Sequence, residues 1–326
     1  MDKSNGPRVG VIGCGNWGRH LVRNFHEMGL LAGVSDIRNE AAHSMHGTYG
    51  VAPLTADRMF ASSEIDAVVI ATPAEEHFHL GIRAIESGKH VFVEKPISVT
   101  DTEADALVTA SRKADRILMV GHVLRYHPCF LELHRIVRSG GIGRVNYMRT
   151  TRAANHGSRR NENALWGFAP HDVSMMLALA GEMPAGILAH GDHAAGRRGA
   201  DVALAMLDFP SGLKGHLFVS WFNHVKEQKL VVSGDSGVIV FDDCEPWERK
   251  LVVYRYESDG GNPPGHGDNV VVNRAEPLRA ECDHFVGCIR NGSNPVTGGA
   301  EGAAVVRVLT SMIRSMQVNG PVSAGP

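Results

Sequence analysis

No apolar run in the 326-residue chain is long enough to cross a bilayer, and the polar opening "MDKSNGPR" has none of the form of a signal peptide. Both absences lead to the expectation of a cytoplasmic protein. No sign of charge dominates either: 33 Lys and Arg stand against 35 Asp and Glu, a formal net charge of -2, with the two signs interspersed. Such a chain offers no electrostatic footprint for nucleic acid or an anionic membrane, which leaves a small molecule as the expected ligand. The five cysteines, at 14, 129, 244, 282 and 288, form no CxxC pair. They suit a reducing compartment, as small buried hydrophobes without disulfides. Histidine is plentiful, yet no HExxH occurs. The pairs His43/His46 and His190/His193 lack a cysteine or carboxylate at zinc-like spacing, so no metal is expected.

What is present is ordinary globular material, 43% hydrophobic and 21% charged, in a length that suits two domains. Through residue 122 strand and helix signals alternate. "RVGVI", "LLAGVSD", "IDAVVIATP", "KHVFVEKP" and "RILMVGH" read as strands. The helix after the first strand has Trp17, Leu21, Phe25 and Met28 at helical spacing and Gly29 at its C-terminal cap. "EEHFHLGIRAIESG" puts Phe78, Ile82 and Ile85 on one face, and Thr100 with Glu103 opens a further helix in capping-box register. Alternating units of this kind imply a doubly wound parallel sheet.

Beyond residue 122 the pattern changes. One more helix, "HPCFLELHRIVRSGG", has Pro128 near its first turn. From Gly143 strands follow strands, with hairpins around "PSG" and "GDSG", and two helical stretches close the chain. The expected architecture is therefore α/β: a Rossmann domain over 1–122, then an α+β domain over 123–326 with a large open, mainly antiparallel sheet. An open sheet leaves a face and an edge exposed, so a homodimer or homotetramer is expected to cover it.

"GCGNWG" falls between the first strand and the first helix, where a dinucleotide-binding turn is required. Gly13 permits the tight turn, Gly15 close approach of a pyrophosphate, and Gly18 close helix packing; the helix N-terminus supplies amides and positive potential. Asn16 and Trp17 lie within the same turn. Asp36 ends the second strand, where a carboxylate binds both ribose hydroxyls, with Ile37 and Arg38 beside it. The carboxylate repels a 2′-phosphate and favours NAD over NADP; Arg38 works the other way. "ATP" carries Thr72 and Pro73 to the crevice beside the nicotinamide half. His77 either hydrogen-bonds there or is an ordinary first-turn histidine. At the next strand end, Pro96 stops the strand and leaves Lys95 at the carboxyl rim, while Glu94 pairs with Lys95 or faces the cofactor.

Taken together, "GCGNWG", "ATPAEEH", "VFVEKPIS", "VGHVLRYHP" and "LWGFAPHDVSMMLALAG" resemble the Gfo/Idh/MocA oxidoreductases, NAD(P)-dependent sugar and inositol dehydrogenases. The resemblance runs over nearly the whole chain and adds Arg125 to the candidate cofactor contacts. It implies that Lys95 and His171 face the reacting carbinol. The family commonly has an aspartate four residues before this histidine, and Gly167 stands there instead. Asp172, about 100° around the helix from His171, is then a helix-start acid or a substrate ligand, and Lys95 or Asn163 is left to orient the histidine.

An ordinary histidine, with a pKa near 6.5, is a base close to neutrality, whereas lysine starts near 10.4 and needs desolvation or a positive neighbour. His171 as base with Lys95 hydrogen-bonding the same oxygen is the first assignment; Lys95 as base with His171 as relay is the other. Four arginines (149, 152, 159, 160) in "RTTRAANHGSRRNENALW" suit an anionic substrate, because the guanidinium fork matches phosphate; a solvated loop is the alternative. With Asn163 and Trp166 they complete the candidate substrate contacts. The same stretch, "HVLRYHP" and the segment from "FVSWF" to "DDCEPWE" look like a nucleotide-sugar branch of the family. That implies oxidation of the 3-hydroxyl of UDP-N-acetylglucosamine, with a partner aminotransferase consuming the 3-keto sugar for lipid A. A dTDP-sugar or inositol substrate, or a non-catalytic NAD sensor, are the competing expectations.

Overall fold

Short apolar runs rich in Val and Ile need cover on both faces, and in the computed structural model they form the centre of a parallel sheet. The structure describes residues 6–155, 163–192, 200–256 and 266–324. In chain order the first elements are β1 (Val9–Ile12), α1 (Gly18–Glu27), β2 (Leu31–Ser35), α2 (Asn39–Tyr49), α3 (Ala56–Ala61) and β3 (Ala67–Ile70). Then come α4 (His77–Glu86), β4 (His90–Glu94), α5 (Asp101–Ala114) and β5 (Leu118–Gly121). The strands are parallel in the order β2-β1-β3-β4-β5, so the direction of winding switches between β1 and β3. Doubly wound sheets bind ligands at that point, outside the carboxyl ends of the strands.

Several local expectations appear as geometry. The Thr100 hydroxyl accepts from the Glu103 amide at 3.2 Å, Gly29 has a positive φ of 70° just past α1, and Pro128 opens its helix. α4 departs from its expected face. His77, Gly81, Ala84 and Ile85 are buried, while Phe78 and Ile82 are half-buried. Neither α2, which buries only Ala42, nor the six-residue α3, capped by the Thr55 hydroxyl with Met59 and Phe60 buried, is among the helices expected from the sequence.

The remaining elements are α6 (Pro128–Arg138), β6 (Val145–Asn155), α7 (Ala164–Ala180), β7 (Gly186–Asp192), β8 (Val202–Asp208), β9 (Lys214–Ser220) and β10 (Phe222–Gly234). They are followed by β11 (Gly237–Asp242), β12 (Leu251–Arg255), β13 (Asp268–Asn269), α8 (Pro277–Asn291) and α9 (Gly299–Val318). Eight strands join in the order β13-β12-β11-β10-β6-β9-β8-β7, antiparallel except where β6 meets β9. Burial alternates along β8 and β11, as it must in a sheet covered on one face. On the outward face Leu204 and Met206 are 47% and 42% exposed.

The chain divides into two compact units, 6–123 with 276–306 and 124–275 with 307–324 among the described residues. The boundary expected at 122/123 thus falls one residue later, and the stretch 276–306, assigned from sequence to the second domain, belongs to the first unit. The physical reason lies in α8. Its buried stripe of Leu278, Cys282, Phe285 and Val286 covers the parallel sheet, with the Phe285 ring edge-on to Phe92 at 5.6 Å between centroids. Glu276, at its start, pairs with Arg23 on α1. No helix among the described residues is long and apolar enough to cross a membrane.

Candidate active site

The turn after β1 shows why its glycines stand where they do. Gly13 has φ 97°, and a Cβ there would strike the backbone of Ala71; one on Gly18 would strike the Gly13 carbonyl. At Gly15 the nearest atom to such a Cβ is 3.9 Å away, at Arg38 Nη2, so the backbone is open to a ligand. Asp36 is tied to this turn: its Oδ2 accepts from the Cys14 amide at 2.8 Å, and its Oδ1 from the Arg38 amide at 2.9 Å. Burial alone would raise the Asp36 pKa, but hydrogen bonds from Arg38 and Cys14 hold it below the ordinary value. The carboxylate is ionised and also accepts from the Arg38 side chain, Nε to Oδ1 at 3.2 Å and Nη2 to Oδ2 at 3.5 Å, so ribose hydroxyls reach it by displacing that exposed guanidinium. Ile37 is fully exposed beside it.

The Thr72 hydroxyl is buried without a hydrogen-bond partner among the described residues. It sits at the end of β3, across the switch point from Gly13, and an orphaned hydroxyl there fits a ligand group. An open Gly15, an ionised Asp36 and this hydroxyl are together what a dinucleotide needs from the protein. His77 does not join them. Its ring is buried, with both nitrogens facing backbone carbonyls of the protein.

Glu94, at the end of β4, faces inward. Its Oε1 accepts from Trp17 Nε1 at 2.6 Å and its Oε2 from the Lys95 amide at 3.3 Å. Room for the carboxyl comes from Gly121, where a Cβ would lie 2.8 Å from three of its atoms. Burial pushes the Glu94 pKa up to about 7. Near it in the same unit lies Glu281, fully buried, with neither carboxyl oxygen hydrogen-bonded among the described residues. Burial first, then the charges of Glu94 and Glu301, push the Glu281 pKa well above its ordinary value. No sequence signal marks Glu281, because its neighbours come from far along the chain. Lys95 itself is half-buried beyond the strand end.

In the second unit α7 carries His171, half-buried, one residue after Pro170. Asn163, expected at substrate or histidine, caps the helix by accepting from the Trp166 amide at 3.0 Å. Trp166 is half-buried in the first turn. Arg152 and Asp172, both expected at substrate, are instead each other's partner: Nε to Oδ2 is 2.9 Å and Nη2 to Oδ1 is 3.0 Å, with both side chains buried. The reason is burial itself, which requires each charge to find a counter-charge. Gln228, with its amide set to satisfy its neighbours, accepts from Arg152 Nη1 at 3.3 Å. Arg125, expected at cofactor, donates to the Ser174 carbonyl at 3.2 Å and stacks on Phe130. Arg149 lies on the exposed face of β6, between buried Met148 and Thr150. Arg159 and Arg160 lie outside the described residues.

A doubly wound sheet with an open glycine turn, an ionised acid at the end of β2 and a lysine at the rim of β4 defines a nicotinamide-dinucleotide oxidoreductase. Residues 7–122 match the family model described as "Oxidoreductase family, NAD-binding Rossmann fold", and 130–240 match the "GFO/IDH/MocA C-terminal domain". The chain belongs to the Gfo/Idh/MocA oxidoreductases, and its cofactor is NAD. It is similar to UDP-N-acetylglucosamine 3-dehydrogenase of Acidithiobacillus ferrooxidans, with 27% identity over 94% of this chain and 95% of that one. It is about as similar to inositol 2-dehydrogenase of Rhizobium meliloti, with 26% identity over 97% and 98%. A solved structure of the Acidithiobacillus enzyme superposes with a TM-score of 0.85 at 25% identity, covering 96% of this chain and 98% of that one. An Agrobacterium radiobacter oxidoreductase in complex with NAD+ shares the fold, with a TM-score of 0.85 at 19% identity, covering 98% and 99%.

Proposed function

We propose that this protein oxidises a secondary hydroxyl of a sugar with NAD, and that the substrate is UDP-N-acetylglucosamine, taken at its 3-hydroxyl to the 3-keto sugar. The observation that carries this reading is the end-to-end similarity to an enzyme of that activity, over 94% of this chain. In this reading an aminotransferase consumes the keto sugar on the way to lipid A. NAD, when bound, accepts the hydrogen and its electron pair from the carbinol carbon. His171 takes the hydroxyl proton, and Lys95 donates a hydrogen bond to the oxygen and stabilises the charge that develops on it. Asp36 receives the ribose, and the α1 N-terminus the pyrophosphate.

An unphosphorylated polyol such as inositol is the second reading, and a specific observation favours it. Arg152 is held by buried Asp172, so one of the four arginines expected at a diphosphate is committed elsewhere, and Arg149 lies exposed on the outward sheet face. Mixing purified protein with NAD and a panel of UDP-sugars, dTDP-sugars and inositol, with a ketone trap present, separates the two. NADH formed with UDP-N-acetylglucosamine supports the first reading; NADH with inositol alone replaces it by the second. NAD binding with no substrate oxidised ends the catalytic proposal.

A further inference from the structure

His77 opens α4 on the side that faces the parallel sheet and is only 1% exposed. Its Nδ1 lies 2.7 Å from the Pro96 carbonyl oxygen and its Nε2 lies 2.9 Å from that of Thr72. Both oxygens are acceptors. A neutral imidazole has one N–H, so it satisfies one of them and turns a lone pair toward the other. Only the imidazolium, with an N–H on each side, holds both.

These carbonyls belong to the turns that end β3 and β4, neighbouring strands of the sheet. The first turn carries the orphaned Thr72 hydroxyl and the second carries Lys95. Burial pushes the ring's pKa below its ordinary value; the Pro96 and Thr72 carbonyls act upward. The charged groups that bear on it are Lys95, from the β4 turn, which opposes the cation, and Glu75, from the turn before α4, which favours it. In the free protein near neutral pH the ring is therefore mainly neutral, and one of the two turns is left without its donor.

We propose that His77 is a positioning residue with two settings, tying one turn as the neutral ring and both as the imidazolium, and that NAD binding draws the second setting and takes up a proton. A ligand laid across the carboxyl edge makes its full contacts only when both turns are fixed. Fixing both turns is what the second N–H does. Each event therefore strengthens the other by the same factor. The proton comes from solvent. The inference rests on the dinucleotide site and not on the choice of sugar.

Calorimetric titration of the full chain with NAD at about pH 6.5, in two buffers of different ionisation enthalpy, counts the protons taken up. The wild type is expected to take up a fraction of a proton that His77→Gln, which keeps one donor for one carbonyl, does not. Other titrating groups are common to both proteins and cancel in the comparison. Nitrogen-15 NMR of the wild-type ring is the second measurement and decides the matter should the variant not fold. One protonated ring nitrogen in the free protein and two in the NAD complex support the proposal. Equal proton uptake in wild type and variant, or a ring that stays neutral in the complex, overturns it.

Discussion

A Cβ placed on Gly167 would lie 3.0 Å from Cζ2 of Trp221, so the indole fills the space that a side chain at 167 requires. Gly167 stands one turn before His171, where the family resemblance places an aspartate. Trp221 is 3% exposed and meets Phe168 edge-on, at 6.4 Å between centroids. In this chain an aromatic ring, not a carboxylate, lies against this turn of α7.

Gly167→Asp on its own should lower stability by about 1–3 kcal/mol, the ordinary cost of overpacking. Trp221→Ala opens the space and is itself destabilising. Combined, the two should cost less than the sum of their separate effects, with a coupling of roughly 0.5–3 kcal/mol for residues in contact. Denaturant unfolding of the four proteins measures it, and strict additivity would show that the indole does not hold the position.

Arg152→Ala leaves the Asp172 carboxylate buried without its cation. Breaking such a pair typically costs about 3–5 kcal/mol, whereas replacing both partners by apolar groups is often nearly neutral. Arg152→Met with Asp172→Leu should therefore be much more stable than Arg152→Ala. Burial already pushes the Asp172 pKa up and the Arg152 guanidinium opposes it, so the Arg152→Ala penalty should shrink as the pH falls and Asp172 protonates. Urea titrations at several pH values read both effects.

Chain periodicity carried the two sheets and the dinucleotide turn, because the apolar run of β1, the Gly13, Gly15 and Gly18 spacing and the acid at 36 are local signals. It failed where a polar group takes an apolar place. The expected face of α4 was Phe78, Ile82 and Ile85, but the helix buries His77, whose ring is held by two carbonyls that no pattern reveals. Arg152 and Asp172 have the residue types of substrate ligands; only their separation in space shows that they satisfy each other. α8 has a clear helical stripe, yet nothing in the stripe says which sheet it covers.

Glu281 should make the stability of the protein fall as pH rises. Its pKa in the folded protein is raised, as is that of Glu94, which reaches about 7. Between the ordinary glutamate value and these raised values the folded chain holds protons that the unfolded chain has released. Stability is therefore full below the ordinary value and falls as pH rises through this window, by up to about 1.4 kcal/mol per pH unit for each proton. Glu281→Gln removes one such proton and should flatten the fall above the ordinary glutamate value. Chemical unfolding across that range measures the slopes; equal slopes would show that Glu281 titrates normally.

Glu94 links the glycine turn to the rim of β4, and its role separates by substitution into charge and acceptor. Gln at 94 keeps an oxygen for Trp17 Nε1, while Leu removes it. A neutral hydrogen bond contributes a net of about 0.5–1.5 kcal/mol, which corresponds to up to roughly tenfold in an equilibrium constant. If the Trp17 bond fixes the turn for the dinucleotide, Glu94→Leu should weaken NAD binding by up to about tenfold while Glu94→Gln stays close to wild type. Gly121→Ala reaches the same bond from the other side, since its Cβ would press on the carboxyl at 2.8 Å. It should weaken NAD binding in the direction of Glu94→Leu although the glutamate is still present. Fluorescence titration with NAD measures all three. Wild-type affinity in both Gly121→Ala and Glu94→Leu would show that the Trp17 bond is incidental to the cofactor.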